Sequence, residues 1–158
     1  MTLAERVNSD ITAAMKSRDQ GRLSALRMLK SAIGYAQIER KNDNLSDAEV
    51  VAIVQKEVKK RHESAEQFEK GGRPELAAKE KKEITVLETF LPQPLSPEEL
   101  EQLVRATIQE IGASDKKQMG QVIKATQAKA AGRADGKSIS GVVSRLLALI
   151  ASCVLLSQ

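Results

Sequence analysis

Residues 120–145 read GQVIKATQAKAAGRADGKSISGVVSR, and how this stretch is read decides the fold class. Ala131-Gly132-Arg133-Ala134-Asp135-Gly136-Lys137-Ser138 comes close to a phosphate-binding loop, in which glycine-rich backbone N–H groups cradle phosphates and a lysine reaches them. Such a loop works only between a buried strand and a helix, so accepting it would demand an α/β protein. Two features reject it. Ala131 stands where the first glycine belongs, and the preceding Thr126-Gln127-Ala128-Lys129-Ala130 is a helix-forming run rather than an apolar strand. What remains is an amphipathic helix, a basic loop and the start of an apolar helix, which points to an all-α fold.

The rest of the chain agrees. Its 158 residues allow one domain or two small ones. No stretch alternates apolar and polar residues in the manner of a strand. Tyr35, Phe68 and Phe90 are the whole aromatic content, so a core must be built from Leu, Ile, Val, Ala and Met. Capping-box spacing, in which two side chains satisfy each other's exposed backbone N–H, opens helices at Thr2/Glu5, Ser46/Glu49 and Ser96/Glu99. Periodicity predicts a first helix that breaks by Gly21, a second over about 22–41, a third stopped by Gly71-Gly72 and a fourth begun by Pro74. A fifth is closed by Gly112, a sixth covers about 115–130, and a last one begins near Ser138 or Ser140. Leu91-Pro92-Gln93-Pro94-Leu95-Ser96-Pro97 cannot continue a helix. It divides an N-terminal domain of about four helices, 1–91, from a three-helix domain, 92–158.

Charge is unevenly placed. The net charge of the chain is +4, yet residues 113–158 alone carry seven basic against two acidic side chains. Lys117, Lys124, Lys129, Arg133, Lys137 and Arg145 are the candidate RNA-binding residues. With no aromatic residue after Phe90, such a surface would recognise phosphate positions and shape rather than stacked bases. Lys56, Lys59, Lys60 and Arg61, and again Lys79, Lys81 and Lys82, are interleaved with glutamates and are read as solvated, salt-bridged faces.

Catalytic chemistry finds no foothold. His62 is the only histidine and Cys153 the only cysteine, which leaves no disulfide, no metal-ligand set and no Ser/His/Asp or Cys/His arrangement. Neither a cofactor nor a metal is expected. The N-terminus lacks a secretory pattern, and a cytoplasmic location is expected. The apolar tail 146–156 is shorter than the roughly 20 residues of a membrane span, so no membrane association is expected. The tail is assigned to packing or to a subunit contact, with the oligomeric state left open.

An ordered series of residues resembles one known family. It comprises Leu26-Arg27-Met28-Leu29-Lys30-Ser31-Ala32-Ile33, Lys60-Arg61-His62-Glu63-Ser64-Ala65 with Phe68, Glu83 with Leu87, Leu91-Pro92, Met119-Gly120-Gln121-Val122, and Gly132-Arg133-Ala134-Asp135-Gly136 with Val143. In this series the chain resembles the YqeY-like proteins. That family is similar to the C-terminal helical and tail domains of the GatB component of the tRNA-dependent amidotransferase, an enzyme that uses glutamine to amidate Glu-tRNA(Gln) or Asp-tRNA(Asn). The resemblance implies two all-helical domains and a tRNA-binding, non-catalytic role beside translation. The large catalytic portion of GatB has no counterpart here, so no activity alone is expected. The alternatives are an accessory subunit of a glutamine-dependent carbon–nitrogen ligase and a protein–protein adaptor without RNA. The amidotransferase loop more often reads Gly-Lys-Ala-Asn; this chain has Asp135 in place of the amide.

Overall fold

The computed structural model describes residues 1–156, which fold into seven α-helices and one 3-10 turn with no strand among them. The helices are α1 (Leu3–Ser17), α2 (Gln20–Arg40), α3 (Asp47–Lys70), α4 (Pro74–Glu88), α5 (Pro97–Ile111), α6 (Met119–Ala130) and α7 (Gly136–Leu156); the 3-10 turn, Lys116–Gln118, leads into α6. All three capping boxes are formed, at Thr2/Glu5, Ser46/Glu49 and Ser96/Glu99. The chain divides into two compact units, Met1–Pro92 and Gln93–Gln158.

Several boundaries differ from the periodicity, each for a local reason. Arg18 takes the left-handed conformation that closes α1, and the Asp19 carboxylate accepts from Arg22 N at 3.0 Å to cap α2. The break therefore falls before Gly21, which lies inside α2. Helix α7 starts at Gly136, ahead of both serines, because Asp135 is its cap. The expected sixth helix is divided, with Asp115 opening the 3-10 turn and α6 proper beginning at Met119.

The first unit is held by Val7, Leu23, Leu26, Leu29, Ile33, Val50, Val54, Leu87 and Phe90, all buried. Beside this aliphatic core lies a buried ionic network, where the interleaved charges alone predict a solvated face. Arg61 of α3 is 6 % exposed and Glu57 is 8 % exposed. Arg61 Nη1 donates to Glu57 Oε2 at 2.9 Å, and its Nε donates to Glu83 Oε2 of α4 at 3.0 Å. Lys60 Nζ donates to the other Glu57 oxygen at 2.9 Å. The basic cluster of α3 is thus split. Arg61 points inward against α4, while Lys56, Lys59 and Lys60 are exposed. The second cluster on α4 does face solvent, where Lys81 pairs with Glu69.

Removing Arg61 would strand Glu57 and Glu83 in a poorly hydrated place. Arg61→Met should cost about 3–5 kcal/mol of unfolding free energy in a denaturant titration. A loss below about 1 kcal/mol, the range of a surface pair, would show that the network carries no such load. A pH effect accompanies it. Burial works to raise the pKa of Glu57, but the hydrogen bonds from Lys60 and Arg61 outweigh it and hold the carboxyl below the usual range. A carboxyl depressed by folding contributes stability above its unfolded-state pKa and loses it as the pH falls through its folded-state value. The first unit should therefore weaken on acidification below the ordinary glutamate range, and Glu57→Gln should flatten that part of the stability–pH curve.

Candidate nucleic-acid interface

The second unit packs Leu100, Val104 and Ile108 of α5, Val122 and Ala130 of α6, and Ile139, Val143, Leu146 and Leu147 of α7 around one apolar centre. This leaves the α6–α7 loop at the surface, and its backbone is organised by the chain itself. Ala131 and Gly132 both adopt positive φ, 49° and 86°. Arg133 N donates back to Ala130 O at 2.9 Å. The Asp135 carboxylate accepts from Ser138 N at 2.6 Å, and Ile139 N donates to Asp135 O at 3.1 Å. These donors are the groups a phosphate loop would point at its ligand. Here they are consumed internally, and the chain's own carboxylate occupies the start of α7.

The loop is also tied to the beginning of the unit. Arg133 Nε donates to Gln93 O at 2.9 Å, and Leu95 N donates to Arg133 O at 2.8 Å. Arg133 therefore joins the α6–α7 loop to the segment that enters α5. The other candidate cations separate into two groups. Lys129 pairs with Glu110 of α5. Arg145 of α7 pairs with Glu101 of α5 at 3.1 Å, and Glu101 also holds Arg105 at 2.7 Å. Hydrogen bonds from Arg105 and then Arg145 keep the Glu101 carboxyl below the usual range. Lys117, Lys124 and Lys137 are exposed and have no ion-pair partner among the described residues.

Lys117 lies in the 3-10 turn, Lys124 on α6 and Lys137 in the first turn of α7. Gln127 is one turn beyond Lys124 on α6, and a Cβ built on Gly136 would lie 3.1 Å from Gln127 Nε2, which places the start of α7 beside the Gln127 side chain. Lys116 is exposed next to Lys117 and is not among the expected residues; its only signal in the sequence is the Asp115-Lys116-Lys117 doublet. No group of three or more His, Cys, Asp or Glu that could hold a metal exists among the described residues.

The sequence profile of the family described as Yqey-like protein matches residues 4–147, which takes in both units and all six candidate cations. The chain belongs to the YqeY-like family. Its relatives include an uncharacterized protein of Schizosaccharomyces pombe, 36 % identical over 87 residues, covering 55 % of this chain and 70 % of the relative. Two proteins named altered inheritance of mitochondria protein 41, mitochondrial, also match. That of Vanderwaltozyma polyspora is 25 % identical over 66 % of this chain and 58 % of its own length; that of Pyrenophora tritici-repentis is 23 % identical over 90 % and 79 %. Residues 148–156 of α7 lie past the YqeY-like match.

Because Asp135 serves α7 as its cap, Asp135→Ala should lower the stability of the second unit by about 1 kcal/mol, while Asp135→Asn should hold it within a few tenths. Thermal unfolding followed by circular dichroism separates the two variants. Equal losses would mean that the charge, and not the cap, is what matters.

Proposed function

We propose that this protein is a non-catalytic binder of folded RNA, with tRNA as the ligand class, and that the second unit carries the contact surface. The observation that supports this best is that Lys117, Lys124 and Lys137 are exposed and outside every ion pair found among the described residues, on a unit without an aromatic side chain. Cations not used in folding are available to phosphates, and each phosphate contact releases condensed counterions. Lys129 and Arg145 can join by exchanging surface ion pairs, which are worth little, for phosphate oxygens. Arg133 acts by holding the loop in place. Asp135 is spent on the α7 cap, where the positive end of the helix dipole partly offsets its charge.

Beside translation, such a protein would deliver or hold tRNA for an amidotransferase or a related carbon–nitrogen ligase. Two relatives are named as mitochondrial; both the cytoplasm and the mitochondrion translate, and the same ligand class serves this reading in either. Binding of tRNA should fall steeply with salt. Replacing Lys117, Lys124 and Lys137 together by Gln should flatten the slope of log K against log salt by up to about three units, at ~0.9 per lost contact. A wild-type protein with no tRNA affinity at low salt, or a triple variant with an unchanged slope, would defeat the proposal.

A further inference from the structure

Helix α2 is apolar on two opposite faces. Leu23, Leu26, Leu29 and Ile33 line the core. Met28, Tyr35 and Ile38 lie on the reverse side and are 55, 75 and 77 % exposed. A surface helix needs one apolar stripe to fold against its own domain; a second, solvent-facing one has no folding role. The stripe is regular. Ser24, Met28, Ser31, Tyr35 and Ile38 alternate at spacings of four and three, all of them exposed. Small Ser24 and Ser31 flank Met28, and large Tyr35 and Ile38 follow, over about 21 Å of helix, at the spacing with which a facing helix sets its knobs into holes. Met15 of α1, 50 % exposed, widens the N-terminal end, since its sulfur is 4.0 Å from Arg27 Nη2.

The edges of the stripe are charged unequally. Arg27 and Lys30 are exposed along one edge, and no ion pair engages them among the described residues. Glu39 is the acid on the other edge. We infer that this face of α2 docks a single amphipathic helix of a partner protein, its apolar side on Met28, Tyr35 and Ile38 and its acidic residues along Arg27 and Lys30. The apolar strip is one helix wide, its flexible Met side chains adapt to a facing surface, and its basic edge selects acids over bases. This surface belongs to the first unit and is independent of the RNA reading of the second.

The test uses the full chain, isotope-labelled, and two synthetic helical peptides with the same Leu stripe, one flanked by Glu and the other by Lys. The Glu-flanked peptide should shift the α2 amides and the Met15 and Met28 methyl signals, and should bind about tenfold more tightly than the Lys-flanked one, as expected for two exposed charge pairs changing sign. Arg27→Glu with Lys30→Glu should reverse that preference. Tyr35→Ser with Ile38→Ser, both at exposed positions and harmless to the core, should weaken binding of either peptide at least about tenfold, the loss expected for two apolar anchors. Three results would overturn the inference: no α2 shift with either peptide at millimolar concentration, a concentration-dependent dimer that Tyr35→Ser with Ile38→Ser dissolves, or tRNA protecting α2 where the Glu-flanked peptide does not.

Discussion

A guanidinium cannot be taken out of water unless its charge and its donors are met, and Arg61 sets that condition for the first unit. Its Nη1 is bound to Glu57 one turn earlier on α3, and its Nε to Glu83 on α4. The Glu83 contact leaves α3 and α4 little freedom to slide. A shift of one turn would move Glu83 about 5.4 Å along the axis and strip it of its guanidinium partner, while the Glu57–Arg61 pair within α3 would stay. The aliphatic contacts of Val54, Ile33 and Leu87 supply burial but are tolerant of register, because one branched side chain replaces another at modest cost. The ionic network supplies the register that this aromatic-poor core leaves loosely specified.

The second unit handles charge differently. Its ion pairs, Lys129 with Glu110 and Arg145 with Glu101, join helices at the rim of an apolar centre instead of within it. Screened surface pairs of this kind add little stability and can be exchanged. Arg133 gives its Nε to a backbone carbonyl, and its own carbonyl accepts from Leu95 in return, so its place is fixed while its charge is not neutralised. The lysines outside these ion pairs likewise present charges that folding has not already used.

Much of the helical frame is legible in the sequence because it rests on local rules. A serine or threonine three residues before a glutamate, a proline in the first turn and a glycine after the last are read within a window of about four residues, and α1, α3 and α5 start as those signals say. Charge assignments depend on distant residues and are not legible. The Glu57–Arg61 spacing is the same for a solvated pair and a buried one; Glu83, 22 residues on, decides between them. Within the site, composition marks the basic segment but does not say which cations are engaged. The partners of Lys129, Arg133 and Arg145 lie 19, 40 and 44 residues away. Asp135 reads as a flaw in a basic loop only while the start of α7 is placed at the serines. With Gly136 as the first helical residue, the acid becomes the cap.

Helix α7 carries two incompatible possibilities, and packing decides between them. By length and composition, Gly136–Leu156 could cross a membrane, although its purely apolar part begins only after Arg145. Yet Ile139, Val143, Leu146 and Leu147 are the side chains on which α5 and α6 close. Withdrawing them into lipid would leave the apolar faces of α5 and α6 uncovered, at about 1.5–3 kcal/mol for each large core side chain then exposed to water, against the small margin of a domain. It would also draw Lys137 and Arg145 into hydrocarbon. The first half of α7 therefore belongs to the three-helix unit. The free apolar surface is confined to its last turns, where Leu155 and Leu156 are 75 and 88 % exposed. Those turns fall outside the stretch shared with the family, whereas the four side chains that close the core lie within it.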